Sequence, residues 1–421
     1  MLRPWHILAR TLNPYRRSIR GITDLRPFRE GDIALLRQKD DRTAAPILTR
    51  PLKPGRRVEG HKGVLLHDDI LGKSVRDIVT VQPKRLRDGG EDQESSATQK
   101  RRAEYRLHEV KLDDYVRLSK RLLTPIYPDD ARLIVDLLDL HPHSLRESDG
   151  TEKLEILEAG TGHGALSLYL ARAICGANKP AVPHSEGLDD AGQAAELSAW
   201  KAERRAVLHT IEISPRYSHH AQGIVEGFRN GLYSPHVDFH VGDVADWIAA
   251  AFAGRGGKLF LSHAFLDLPN AETKIEAVTK ALRVDGTLIV FNPSITQIMD
   301  AAKKIKDDDI PLELEKVVEL GVNGGSGGRE WDVRPVKPRA TQKLELEREM
   351  ENGSESESET QTERDEEQMA ADKVKSNRNN GWSMVCRPKV GDRVVGGGFL
   401  GVWKKQRRGM GSLNEIASAD T

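Results

Sequence analysis

From residue 154 onward the chain alternates short apolar runs with amphipathic stretches. The apolar runs at 154–159, 207–211, 237–241, 258–266 and 286–291 predict strands. The stretches at 164–175, 215–230, 244–253, 270–282 and 294–305 predict helices. This alternation predicts an α/β fold with a mostly parallel sheet covered by helices on both faces. A last strand is expected at 394–403, with Gly396-Gly397-Gly398 near its start. Residues 28–81 read differently. Weak alternation at 32–36, the turn Pro51-Leu52-Lys53-Pro54-Gly55 and the run Val64-Leu65-Leu66 predict short strands of a small β module. Helical spacing marks 112–123 and 131–140.

Polar segments divide these blocks. Residues 84–103 are highly charged, 177–205 form a polar, Ala-rich insertion, and 341–380 are acidic and of low complexity, with Gly353-Ser354-Glu355-Ser356-Glu357-Ser358-Glu359. Such segments bury too little apolar surface to order themselves. The expected layout is a basic arm at 1–24, a small β domain at 25–115, and an α/β domain at 116–340. The acidic insertion at 341–380, a final strand region at 381–408 and a tail at 409–421 complete it. Hydrophobic residues are 38% of the 421 and charged residues 30%, a lean composition that fits disordered insertions. With 64 Lys+Arg against 64 Asp+Glu, bulk charge selects no polyanionic partner, so any such surface must be local. Cys175 and Cys386 are too few for a disulfide framework or a cysteine-rich zinc site, and no metal site is expected. No apolar run is long enough to span a bilayer, so no membrane association is expected. Residues 1–20 hold Arg3, Arg10, Arg16, Arg17 and Arg20 with no acid. That is the composition of a mitochondrial transit peptide; a basic RNA-touching arm, with nuclear localisation, is the alternative.

The candidate chemistry sits at strand ends. The first α/β strand closes in Glu158-Ala159-Gly160-Thr161-Gly162-His163-Gly164. Gly160 and Gly162 allow close approach of a ligand to the backbone. The loop lacks the Gly-Lys-Ser/Thr ending of a phosphate-binding loop, and its G-x-G-x-G spacing differs from the G-x-G-x-x-G of dinucleotide folds. Glu158 before the first glycine can accept from an ammonium, directly or through water, which favours S-adenosyl-L-methionine. Glu212 ends the second strand, where a carboxylate suits ribose hydroxyls of either cofactor. Asp243 and Val244 close the third strand. Asp243 can accept from an adenine amino group or cap the following helix. Asp267, in Leu266-Asp267-Leu268-Pro269, ends the fourth strand, either as a catalytic acid or as a turn residue. Tyr127 is either a stacking surface or a core tyrosine ahead of Pro128. Basic groups for RNA are Arg56, Arg57, Lys62 and Lys73, with Lys404, Lys405, Arg407 and Arg408, each equally open to a purely solvated role.

Together, Glu158 to Leu168, Tyr127-Pro128-Asp129-Asp130, His61-Lys62-Gly63 with His67-Asp68-Asp69-Ile70-Leu71-Gly72-Lys73, and Leu266-Asp267-Leu268-Pro269 resemble the tRNA adenine-58 N1-methyltransferases. The resemblance covers roughly 28–335 and 394–405. Trp331-Asp332-Val333-Arg334-Pro335 is similar to fungal-type members. It implies a Rossmann-like class I methyltransferase fold with a seven-stranded, mostly parallel sheet and a small N-terminal β domain. It implies S-adenosyl-L-methionine held by Gly160, Thr161, Gly162, His163 and Gly164 at its methionine end, by Glu212 at the ribose, and by Asp243 and Val244 at the adenine. Asp267 would be the catalytic aspartate and Tyr127 an aromatic residue beside it. tRNA would be the substrate, and the assembly a homo-tetramer or a hetero-tetramer with a non-catalytic related subunit. His163 stands where the family carries serine. Alternatives are a non-catalytic RNA-binding subunit, which should have lost the glycines and Asp267, and a methyltransferase acting on another substrate.

Overall fold

The computed structural model describes residues 26–41, 44–60, 63–82, 102–142, 153–180, 189–321, 329–336, 383–388 and 397–407. The basic arm at 1–24, nearly all of the charged loop at 84–103, the acidic stretch at 341–380, and His61, Lys62 and Arg408 lie outside the described residues.

The first block is all β. Strands β1 (Ala34–Gln38) and β2 (Ile47–Leu48) precede a hairpin of β3 (Arg57–Gly60) and β4 (Gly63–Leu66), then β5 (Ile78–Thr80) and β6 (Glu104–Glu109). The antiparallel sheet runs β2-β1-β6-β5. Period-two alternation sends Ala34, Leu36, Val79, Tyr105 and Leu107 into an apolar cluster with Leu52, Leu65 and Ile70. The opposite face carries Arg37 and Arg106, paired across β1 and β6.

Helices α1 (Leu112–Leu118) and α2 (Pro128–Leu138) lead into the large sheet. The expected helix at 112–123 stops at Leu118, because Ser119 turns to extended backbone with ψ of 158°. The second domain continues with β7 (Leu154–Ala159), α3 (Ala165–Ile174), α4 (Asp190–Ala202), β8 (Ala206–Glu212), α5 (Pro215–Gly227), β9 (Val237–Val241), α6 (Val244–Gly254), β10 (Leu261–Leu266), α7 (Ile275–Ala281), β11 (Leu282–Asn292), α8 (Ile295–Asp307), β12 (Leu312–Glu319), β13 (Arg329–Val336), β14 (Ser383–Pro388) and β15 (Phe399–Lys405). Every residue of β8 is buried, as expected for a strand covered on both faces. One apolar cluster gathers α1, α2, α3 and α5 on one face, and another gathers α6, α7 and α8 on the other.

The strand order is β14-β13-β12-β15-β11-β10-β7-β8-β9. The strands from β11 to β9 are mutually parallel, and β15 is antiparallel to both its neighbours. The seven strands from β12 to β9 form the expected mostly parallel sheet. The full sheet has nine strands, because β13 and β14 add an antiparallel pair beyond β12. Their apolar face is covered: Val333 is buried with α8, and the Trp331 indole donates to Glu319 at 2.9 Å.

Other departures have local causes. The segment 177–205 contains α4, capped by Asp189, which accepts from Gly192 N at 2.8 Å. Its Trp200 is buried edge-on to His236. Buried Asn178 ties this segment to the start of β8, accepting from Ala206 N at 2.9 Å and donating to its carbonyl at 2.8 Å. The expected helix at 270–282 is a 3-10 turn followed by α7, and β11 begins at Leu282. Strand β12 lies where no element is expected, and the final strand runs to Lys405. Phe265, fully buried in central strand β10, tests the packing. Phe265→Ala should cost about 3–5 kcal/mol. The check is a lower urea midpoint at unchanged m-value, and a loss below about 1 kcal/mol would contradict this packing.

Candidate active site

Strand β7 ends at Ala159, and the chain turns through Gly160 to Gly164 into α3. Gly160, Gly162 and Gly164 have φ of 91°, 52° and 82°, where side chains are strained. Space is also decisive at Gly160, since a Cβ there would overlap the main-chain oxygen of Asp267. Gly160 N donates to the Ile211 carbonyl at 2.9 Å, and Asp267 N donates to the Ala159 carbonyl at 2.9 Å. The carboxyl ends of β7, β8 and β10 are thereby fastened together. At Gly162 the nearest atoms to a Cβ, including Leu123, stand 3.9 Å away, so a ligand can approach the loop there.

This fastening crowds three carboxylates. Glu158 is 1% exposed, and its Oε2 accepts from Ser167 Oγ at 2.5 Å and Thr210 Oγ1 at 2.8 Å. Thr210 in turn shares a 2.6 Å hydrogen bond with Thr161 of the loop. Burial raises Glu158 to about 7 against those two bonds, and the charges of Asp267 and Glu212 add to the rise. Asp267 is raised to about 6 by burial and by Glu212. Glu212 accepts from Gly162 N at 3.0 Å through Oε2 and from Ser214 N at 3.1 Å through Oε1. None of the three has an ion pair with a described residue. The donor set therefore fits a cationic ligand, and a sulfonium bearing an ammonium group has that chemistry. Glu212, with two lone-pair sites still open, can take ribose hydroxyls.

The other expected residues divide. Asp243 caps α6 through Ala245 N at 2.8 Å and pairs with Lys274 at 2.7 Å, a bond that holds its carboxyl below the usual range. The Val244 side chain is buried in the core. His163 is 2% exposed; Ser119 Oγ lies 3.2 Å from its Nε2, and burial, His220 and Arg121 lower it to about 4. It is a neutral group packed behind the loop. Tyr127 is 38% exposed, immediately ahead of α2, with the Arg121 guanidinium 5.9 Å from its ring centroid. The segment 119–127 roofs the glycine loop, since Ser119 meets His163 and Leu123 meets Gly162.

Sequence reasoning missed Ser167, Thr210 and Lys274, whose roles depend on contacts across 9 to 52 positions. It also missed Ile213, 72% exposed next to Glu212, and Val241, 56% exposed and paired with Glu212. Both leave apolar surface exposed beside Glu212, and for Ile213 an apolar residue following the strand-end acid was the available signal. The C-terminal basic residues lie elsewhere: Lys404 pairs with Thr287 at the amino edge of the sheet, and Lys405 donates to the Thr279 and Leu282 carbonyls at 2.6 Å each. Among the described residues no cluster of three His, Cys, Asp or Glu could hold a metal, and no helix is long and apolar enough to cross a membrane.

No protein-family profile matches the chain. Over 233 residues it is 29% identical to the tRNA (adenine(58)-N(1))-methyltransferase TrmI of one Thermus thermophilus strain, covering 55% of this chain and 69% of that protein. The same figures hold for TrmI of a second strain of that species. Among solved structures, a SAM-dependent O-methyltransferase from Thermotoga maritima matches with a TM-score of 0.51 at 16% identity, over 90% of this chain and 95% of that one. The fold is that of the Rossmann-like class I methyltransferases.

Two outcomes follow from the geometry. Gly160→Ala should abolish S-adenosyl-L-methionine binding in calorimetry, and wild-type affinity would contradict the overlap with Asp267. The second concerns pH. Glu158 is raised in the folded protein, from 4.5 to about 7, so its contribution to stability is full below pH 4.5 and is lost as pH rises through 7. The melting temperature of Glu158→Gln relative to wild type should therefore climb between pH 5 and pH 8 in ligand-free protein. A constant difference would contradict the assignment.

Proposed function

We propose that this chain is an S-adenosyl-L-methionine-dependent tRNA methyltransferase that forms N1-methyladenosine at position 58, in the T-loop. The observation that carries the reading is Asp267. It stands at the end of β10, against Gly160, in a carboxylate cluster that makes no ion pair with a described residue. The similarity to TrmI over 233 residues supports the same activity and the same substrate. Trp331 and its neighbours in β13 support a fungal-type member, and the resemblance extends to a four-subunit assembly.

In this reading Gly160, Thr161, Gly162 and Gly164 shape the methionine end of the site, with Glu158 behind them as a buried acceptor. Glu212 holds the ribose, while Ile213 and Val241 flank the adenine. Asp243 is already engaged by Lys274, so it orders the start of α6, and the backbone there faces the adenine edge. His163 keeps the loop packed against Ser119. The cofactor, when bound, supplies an electrophilic methyl group. The target adenine must leave its stack to expose N1, and exposed Tyr127 offers it a face. The Asp267 carboxylate accepts from the exocyclic amino group and stabilises the positive charge that develops as N1 gains the methyl. With its carboxyl raised to about 6, Asp267 remains ionised at neutral pH and is a stronger acceptor than an ordinary aspartate.

Unmodified tRNA incubated with the purified chain and labelled cofactor should acquire label as N1-methyladenosine in the T-loop. Asp267→Ala should abolish transfer while retaining cofactor binding by calorimetry. Label at another nucleotide would contradict the assigned substrate, and near wild-type transfer by the variant would contradict the role of Asp267.

A further inference from the structure

A row of arginines runs from the mouth of the site onto the small β sheet, joined contact by contact. Arg121 lies over the Tyr127 ring and donates to the Arg117 carbonyl at 2.9 Å. Arg117 pairs with Asp114 at 2.9 Å, and the same carboxylate pairs with Arg37 at 3.2 Å. Asp114 is buried, whereas the two arginine side chains are 58% and 49% exposed. One buried acid thus aligns two outward-facing guanidiniums from different elements, α1 and β1. Arg37 stands directly across from Arg106 in the β1–β6 ladder. Like charges directly opposite each other on neighbouring strands are destabilising unless something else uses them. Arg76 completes the row: its backbone N donates to the Leu107 carbonyl at 2.8 Å, beside Arg106. His108, on the same face as Arg106, is held below its ordinary range by burial and by Arg76, Arg37 and Arg106, against Asp114. Among the described residues, the Arg76 and Arg106 side chains make no hydrogen bond or ion pair, although the chain as a whole is electrically neutral.

We propose that Arg121, Arg117, Arg37, Arg106 and Arg76 form one path for the phosphate backbone of the RNA substrate. It leads from the target base at Tyr127 across α1 to the face of the four-stranded sheet that carries Arg37 and Arg106. The proposal rests on the RNA methyltransferase reading above. The chemistry recognised is a chain of phosphodiesters, because the arginines follow one another from contact to contact across several elements and two make no hydrogen bond or ion pair among the described residues. The path differs from the hairpin basic groups Arg56 and Arg57 and from the C-terminal lysines at the amino edge of the large sheet. Asp114 is a positioning residue, since it touches the arginines and not the RNA.

The test measures binding of an unmodified tRNA transcript by fluorescence anisotropy across a potassium chloride series. Wild type is compared with R76Q/R106Q and R76K/R106K, variants that remove no side-chain hydrogen bond or ion pair among the described residues. R76Q/R106Q should bind several-fold more weakly, and its slope of log affinity against log salt should shrink by about two. R76K/R106K should retain most of the slope, and all three proteins should bind S-adenosyl-L-methionine equally. A wild-type slope and affinity in R76Q/R106Q would overturn the path. Wild-type protein that binds RNA through these arginines yet transfers no methyl group would support the path and overturn the proposed activity. Wild-type protein that fails to bind the transcript would overturn both.

Discussion

Everything at the site depends on how closely β10 approaches the turn after β7. The Asp267 amide donates to the Ala159 carbonyl, and the Asp267 carbonyl occupies the space where any side chain at residue 160 would stand. The Gly160 amide fixes the same turn to β8 through Ile211. Three strand ends are thus locked by main-chain bonds, and the acids that terminate or precede them have nowhere else to go. Glu158, Asp267 and Glu212 share one crevice, where burial and the neighbouring carboxylates disfavour the charged forms of Glu158 and Asp267. The protein stores unfavourable electrostatics at this point, which a cationic ligand relieves.

The roof is built by a different kind of contact. Tyr169 of α3 donates to Asp113 of α1 at 2.7 Å, and Arg132 of α2 reaches the same carboxylate at 2.7 Å. These bonds gather three helices beside the segment 119–127, whose Ser119 and Leu123 meet the loop at His163 and Gly162. The small sheet is anchored alongside. Leu35 joins the core of the large domain, and Asn230 donates to Asp32 at 3.2 Å. The surface beyond the mouth is therefore continuous with the site rather than a separate attachment.

The α/β alternation was legible because strands buried on both faces must be written as apolar runs, as in β7 and β8. The strand-end acids and glycines were legible because the crevice of such a sheet lies where its parallel strands end. What stayed hidden is physically different. Leu122 and Leu123 continue a helical spacing beyond α1, yet Leu123 serves as packing for an extended segment over Gly162. Strand β13 contains Pro335, a residue that argues against a paired strand, and its partner β14 follows a long polar stretch. Glu158 was read as an open acceptor, whereas Ser167 and Thr210 engage it through contacts that no local pattern encodes. Asp243 caps α6 through Ala245 N, and Lys274, which no local pattern links to it, reaches it from 31 positions away. His163, an irregularity in the loop motif, is a packed neutral group against Ser119 and His220.

If the crowded carboxylates exist to receive a cation, ligand binding must expel their protons. Titration calorimetry of S-adenosyl-L-methionine at pH 6.5, in buffers of different ionisation enthalpy, reads this directly. The account predicts net proton release on binding, which declines toward zero by pH 8.5 and shrinks in Glu158→Gln. Heats that do not depend on the buffer at pH 6.5, or net proton uptake there, would contradict it.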